Sequence, residues 1–182
     1  MTQLWRTFNQ VIPYFAVIIP FLILIGWAVY RRLRKKEKKK KEALYLASVN
    51  IFLALSSISI IMVTLLPRPY EGRTLQIIPF FSMWDNIVNF IHYTDLIRNL
   101  GFNILLFIPF GLFLCLKLPS CKLMKITYIG MIFSICIEIA QFILSIGRIT
   151  NIDDVILNTL GTFIGAFMGM YIREKIIKFQ FK

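Results

Sequence analysis

Five apolar stretches, each long enough to cross a lipid bilayer, constrain the fold of this chain more than any other feature. A hydrocarbon core about 30 Å thick needs about 20 helical residues to cross it. The chain is 58% hydrophobic, whereas soluble domains usually have an apolar share of about 45 to 50%. We therefore predict an all-α integral membrane helical bundle with about five transmembrane helices. The predicted spans are residues 11–30, 44–66, 102–118, 126–146 and 153–172.

The basic residues predict the side of the membrane on which each loop lies. Loops rich in Lys and Arg stay in the cytoplasm, and the connection between the first two spans carries nine basic residues against Glu37 and Glu42. The amino terminus is therefore predicted to lie outside and the carboxyl terminus in the cytoplasm. The basic residues of the three cytoplasmic segments are Arg31, Arg32, Arg34, Lys35, Lys36, Lys38, Lys39, Lys40 and Lys41, then Lys117, Lys122 and Lys125, and finally Arg173, Lys175, Lys178 and Lys182.

The net charge of +12 follows mainly from this topology, so we do not expect nucleic acid as a partner. Anionic lipid headgroups attract basic residues near the membrane surface by about 1 kcal/mol each, which makes membrane lipids the expected partner of the first basic loop. His92 is the only histidine, and the three cysteines lack the paired spacing of zinc sites. The sequence therefore predicts no metal and no other cofactor.

The chain divides into three segments. Residues 1–43 form an amino-terminal transmembrane helix with the basic cytoplasmic loop, residues 44–172 form the main membrane domain, and residues 173–182 form a basic cytoplasmic tail. The connection 67–101 is predicted to lie along the outer surface of the membrane, because aromatic and aliphatic side chains recur in it at helical spacing. It is expected either to cover a ligand site or to serve only as a connector.

Polar side chains inside the last three spans are the candidate functional residues. A carboxylate in a spanning helix costs roughly 2.5 to 3.5 kcal/mol on insertion scales, so such a group marks a functional site unless a structural partner explains it. An arginine near the outer ends of these spans could pair with such an acid or bind an anion. We predict a ligand-binding site made of Asn103, Glu138, Gln141, Arg148, Asp154 and Asn158.

Depth and helical spacing suggest that these residues share one region. Counted from the outer ends of the predicted spans, Glu138 lies roughly 12 Å deep and Gln141 and Asn158 roughly 7 Å deep, at 1.5 Å per residue. Residues three or four apart on a helix share a face, which pairs Glu138 with Gln141 and Asp154 with Asn158. The alternative is structural, because Asn, Gln and Glu can join helices through hydrogen bonds and small residues such as Gly can allow close helix packing.

The same residues resemble a known family. The run Asn-x-x-x-Phe-x-Pro-x-Gly at residues 103–111 and the Glu-x-x-Gln pair at 138–141 are similar to VanZ-like membrane proteins. So are the residues that follow at family spacing, which are Arg148, Asp154, Asn158, Gly161 and Gly165. The resemblance covers about residues 60 to 172, so the main membrane domain is identified as VanZ-like. One departure is Gln76, where the family often has Asn.

The resemblance implies a bacterial protein of the cytoplasmic membrane linked to glycopeptide resistance, chiefly to teicoplanin and related lipid-tailed drugs. On this basis we expect the outward-facing polar site to hold a lipid-linked cell-wall precursor or a lipoglycopeptide. Two alternatives remain open. One is an intramembrane enzyme acting on an envelope lipid headgroup, with Glu138 or Asp154 as general base, which is less favoured because no nucleophile motif is visible. The other is a proton-coupled lipid transporter, for which a homo-oligomer would supply additional helices.

Overall fold

A computed structural model describes residues 3–65, 67, 74–76, 78–79, 93–144 and 149–180. It confirms a helical membrane bundle, because five of its helices are long and apolar enough to cross a membrane. The third helix begins before the predicted span, since it includes the polar turn that precedes the apolar run. The elements are α1 (Gln3–Lys35), α2 (Lys40–Leu65), β1 (Thr74–Gln76), α3 (Tyr93–Lys117), α4 (Leu123–Leu144), β2 (Ile149–Asn151) and α5 (Ile152–Gln180).

The basic connection between α1 and α2 is shorter than the sequence suggested. Lys and Arg are good helix formers, so both helices extend into the basic run and leave only residues 36–39 between them. Glu37 adopts a left-handed backbone conformation with φ of 61°, and the Arg34 guanidinium donates a hydrogen bond to the Lys38 carbonyl at 2.8 Å. Lys38 also forms an ion pair with Glu42 one turn further on. The result is a tight turn that places many positive charges at one membrane surface.

Helix α5 packs against α3 and α4. Small residues allow the backbones of α3 and α5 to approach closely: a Cβ added at Gly161 or Gly165 would overlap the carbonyl oxygen of Ile104 or Ile108. On the facing helix, a Cβ at Gly111 would overlap the carbonyl oxygen of Thr162. We call this contact the α3–α5 seam, and it matches the small-residue packing typical of membrane helices.

Aromatic rings pack between α3 and α4. The fully buried Phe107 ring lies 6.2 Å from that of Phe110 and 6.0 Å from that of Phe133, and Phe110 and Phe133 are 5.1 Å apart between centroids. Helix α1 lies outside this core and packs on α2. Only 11% of its span is buried, against 44% of the α5 span, so most of the α1 surface would face lipid.

Two three-residue strands join the outer connections of the bundle. Strand β1 pairs in parallel with β2, with Gln76 opposite Asn151 in the register. Because β2 leads directly into α5, this pairing holds part of the 67–101 connection against the outer ends of α4 and α5. The rest of that connection lies largely outside the described residues. Its predicted role as a cover of the ligand site therefore stays a prediction.

Candidate functional site

One face of α4 carries three buried polar side chains toward the bundle interior. Ser134, Glu138 and Gln141 are 0%, 6% and 3% exposed, and their spacing of four and then three residues places them on one helix face. Helix α4 ends at Leu144, so Glu138 lies about 9 Å from that end along the helix axis. Its carboxyl group is therefore inside the membrane-spanning part of the bundle.

Glu138 contacts the beginning of α5 rather than its interior. Its Oε2 accepts a hydrogen bond from the backbone N–H of Asn151 at 3.0 Å. Asn151 also caps α5, because its Oδ1 accepts the N–H of Asp153 at 3.0 Å, which is the usual role of Asn at a helix start. The positive end of the α5 dipole favours negative charge here, so the carboxyl group of Glu138 and those of Asp153 and Asp154 lie in a region suited to them.

The side chain of Asp154 links α5 to α3. The amide Nδ2 of Asn103 donates to Asp154 Oδ1 at 2.7 Å. Hydrogen bonds between spanning helices are worth about 0.6 to 2 kcal/mol, so this pair strengthens the outer end of the α3–α5 seam. Two of the predicted site residues therefore contact each other, through a bond with an evident structural role.

Asn158 and Ser134 form a second bridge, between α5 and α4. Asn158 Nδ2 donates to Ser134 Oγ at 2.8 Å, and the Asn158 carbonyl accepts the hydroxyl of Thr162 at 3.0 Å. The side-chain Oδ1 of Asn158 is buried and accepts no hydrogen bond from the part of the chain that the structure describes. Asp154 and Asn158 were predicted to share one helix face. In the structure Asp154 bonds to α3 and Asn158 bonds to α4.

Gln141 turns away from α5 and contacts α2. Its Nε2 donates to the carbonyl of Thr64 at 2.9 Å, which satisfies one of the carbonyls that the end of α2 leaves without an intrahelical partner. Its Oε1, like Asn158 Oδ1, is buried without a donor among the described residues. A buried acceptor left unpaired costs about 1 to 3 kcal/mol, so each of these oxygens is a candidate contact for a ligand or for water.

A groove of about 250 Å³ opens beside Glu138. Its polar lining comes from Glu138, Gln76 and the two strand residues Thr150 and Asn151. Thr150 Oγ1 is the third buried oxygen that accepts and donates no hydrogen bond within the described residues. Apolar side chains of α4 and the start of α5 complete the lining, namely Ile135, Ile139, Phe142, Ile152 and Val155. We call this the lateral groove.

Among the six predicted residues, Asn103 and Asp154 contact each other. Glu138, Gln141 and Asn158 instead bond to Asn151, Thr64 and Ser134, which were not predicted. Arg148 lies outside the described residues, so its predicted place beside the acids stays a prediction. Sequence reasoning missed Ser134 and Thr150 as members of this region. The spacing of four residues between Ser134 and Glu138 could have identified Ser134. A single Thr in a three-residue strand offers no such signal for Thr150.

Fold and site together define a multispanning membrane protein with a buried acid and several buried amides near one end of the bundle. A sequence model of the VanZ/LLP1 family matches residues 43–173. The chain belongs to this family.

One curated relative is Protein VanZ of Enterococcus faecium, which is 34% identical over 96 residues. The matched region covers 53% of this chain and 52% of the relative, so the chain spans about half the length of that protein. No solved structure matches the chain significantly.

Proposed function

We propose that this protein modulates bacterial susceptibility to glycopeptide antibiotics of the teicoplanin type from the cytoplasmic membrane. In this proposal the outward-facing polar region holds the polar part of a lipid-linked cell-wall precursor or of a lipid-tailed drug. Membership of the VanZ/LLP1 family supports the link to glycopeptide resistance, and the positive-inside bias supports the outward orientation of the polar end.

The observation that carries the proposal is Glu138, a buried carboxyl group that lines the lateral groove on a spanning helix. Acids at this depth are rare and usually functional. The hydrogen bond from the Asn151 N–H gives Glu138 a structural role. A glutamine oxygen could accept the same hydrogen bond without the insertion cost of a charge. In this proposal the carboxyl group of Glu138 contacts a hydrogen-bond donor or a cationic group of the ligand.

The other predicted residues support Glu138 in this proposal. Asn103 and Asp154 hold α3 against α5. The buried side-chain oxygens of Asn158 and Gln141, which have no hydrogen-bond partner among the described residues, would accept from ligand donors. Arg148 would contact a phosphate or carboxylate of the ligand, because a guanidinium binds such groups through paired hydrogen bonds.

The test compares inhibitory concentrations of teicoplanin and vancomycin for a susceptible bacterium that carries an empty vector, the unmodified gene or the Glu138→Gln variant. We expect a selective rise for teicoplanin with the unmodified protein, and its loss with Glu138→Gln at equal membrane abundance. The Ser57→Ala variant is a matched control, since Ser57 lies on α2 and its hydroxyl bonds the carbonyl of Leu53 in the same helix. An unchanged inhibitory concentration with well-expressed unmodified protein would refute the resistance role.

A further inference from the structure

We infer that a cleft at the basic end of α1 binds the phosphate headgroup of an anionic glycerophospholipid. The cleft has a volume of about 400 Å³ and is lined by Tyr30, Arg31, Arg34 and Lys35. We call it the basic cleft. It lies near the start of α2, whereas Gln141 contacts Thr64 at the end of that helix, so the inference is independent of the proposed function.

The residues that line the basic cleft share one face of α1, and most of this face is turned away from α2. Gly26 marks the side that packs on α2, because a Cβ there would overlap the side chain of Ile51. At 3.6 residues per turn, the centre of the cleft lies roughly 110° around the helix from Gly26. The three basic side chains are exposed and Tyr30 is half-buried. The cleft therefore opens beside the bundle, where lipid would surround α1.

The basic cleft lies where the apolar run of α1 ends. Residues 11–30 contain no charged residue, and Arg31 is the first basic residue after them. The Arg31 guanidinium lies 4.8 Å from the ring centroid of Trp27, whose side chain is 57% exposed. Trp and Tyr are enriched at the level of lipid headgroups. The basic side chains of the cleft are therefore at the depth of the phosphate groups of one leaflet.

The positive charges of the basic cleft have no acidic partner among the described residues. Glu42 pairs with Lys38, which does not line the cleft. Arg34 donates one hydrogen bond to the carbonyl of Lys38 and keeps its other N–H donors. A guanidinium binds phosphate oxygens through charge-assisted, paired hydrogen bonds. The cleft therefore suits a phosphate, to which the hydroxyl of Tyr30 is a further donor.

Charge and position together favour an anionic lipid as the source of this phosphate. The choline group of phosphatidylcholine is positive and would be repelled by the three basic side chains, whereas phosphatidylglycerol adds only neutral hydroxyl groups to its phosphate. Only 11% of the α1 span is buried, so the acyl chains of a bound lipid would lie along the apolar surface of the same helix. A dissolved phosphate ester would lack this second contact.

The test counts the lipids that stay bound to the purified full-length protein in native mass spectrometry. Phosphatidylglycerol and phosphatidylcholine with the same acyl chains are titrated separately. We expect one phosphatidylglycerol to bind at a half-saturating concentration about tenfold or more below that of phosphatidylcholine, because each basic residue near a membrane surface attracts anionic lipid. Glycerol 3-phosphate at the same concentration should not displace it. Equal binding of the two lipids, or displacement by glycerol 3-phosphate, would overturn the inference.

Two triple variants separate a headgroup site from the general attraction of a basic loop. The first combines Arg31→Gln, Arg34→Gln and Lys35→Gln and removes the charges of the cleft. The second combines Arg32→Gln, Lys36→Gln and Lys39→Gln, which removes as many charges from exposed residues that do not line the cleft. Each variant leaves six of the nine basic residues of this connection in place.

The first variant should raise the half-saturating concentration of phosphatidylglycerol about tenfold or more, and the second less than about twofold. The reason is that the attraction of about fivefold per basic residue depends on contact with the headgroup in the cleft. Equal losses in the two variants would show a general attraction to the loop and would overturn the site. Unchanged binding in the first variant would overturn it as well.

Discussion

The α3–α5 seam and the lateral groove both involve α5, and they are built on opposite principles. In the seam, backbones pack so closely that glycine is required at Gly161 and Gly165, and the polar pair Asn103–Asp154 is mutually satisfied. In the groove, Thr150 is buried and its hydroxyl has no hydrogen-bond partner among the described residues. The difference teaches that buried polar side chains in a membrane protein have more than one role. Satisfied pairs hold helices together, whereas buried groups without a partner among the described residues are only candidate contacts for a ligand.

The largest expected effect comes from adding one methyl group to the seam. In Gly165→Ala the new Cβ would overlap the carbonyl oxygen of Ile108 and approach the Leu112 nitrogen to 2.9 Å, and backbone atoms cannot move aside as side chains can. We expect a loss of stability at the upper end of the roughly 1 to 3 kcal/mol typical of overpacking, seen as a lower melting temperature in detergent and reduced membrane abundance.

Gly101→Ala is the matched control, because a Cβ there meets no atom of the described residues within 4 Å. Alanine favours a helix by about 1 kcal/mol over glycine, so this variant should be as stable as the unmodified protein or more so. Equal melting temperatures for Gly165→Ala and the unmodified protein would show that the seam is not tightly packed.

A second prediction concerns Glu138, which borders the groove. Glu138→Ala removes the acceptor of the Asn151 N–H, so we expect a loss of about 1 to 3 kcal/mol from an unpaired buried donor. Glu138→Gln keeps an acceptor oxygen and should lose clearly less. Thermal unfolding of both variants in the same detergent checks the order. If the two variants melted together, the contact with Asn151 would contribute little to stability.

A third prediction measures the polar bond of the seam. A double-mutant cycle with Asn103→Ala and Asp154→Ala should give a coupling energy of about 1 kcal/mol, within the range for hydrogen bonds between spanning helices. The cycle is read from unfolding of the two single variants and the double variant. Additive effects would show that the amide and the carboxyl group act independently.

The smallest effect is expected for Thr150→Val. Its hydroxyl makes no hydrogen bond within the described residues, so the change should not lower stability, and removal of an unpaired buried hydroxyl should raise it slightly. Thr162→Val provides the contrast in the bundle interior, because it loses the bond to the Asn158 carbonyl and should cost about 1 kcal/mol. A clear loss of stability in Thr150→Val would mean that the hydroxyl has a structural partner.

The sequence predicted the number and order of the spanning helices, since long apolar runs admit few alternatives in a membrane. It also predicted which residues share a face, because helical spacing determines angular position. It could not predict which neighbour each face meets: Gln141 contacts α2 and Glu138 contacts β2, although they lie three residues apart on α4.

The lateral groove was beyond sequence reasoning for a different reason. It depends on the parallel pairing of Gln76 with Asn151 in two three-residue strands, and strands of that length are too short for a periodic hydrophobic pattern to reveal. Thr150 and Gln76 became visible as groove residues only once these strands were placed. Arg148 lies in a stretch outside the described residues, so its contact with the ligand is still a prediction.

The central claim is that groove residues serve function and seam residues serve stability, and one paired measurement tests it most directly. The membrane abundance and the teicoplanin inhibitory concentration are determined together for Glu138→Gln in the groove and Gly165→Ala in the seam, each against the unmodified protein. We expect Glu138→Gln to accumulate normally yet lose the rise in inhibitory concentration, and Gly165→Ala to lose both in proportion. A Glu138→Gln protein that accumulates normally and retains the full teicoplanin effect would contradict the claim.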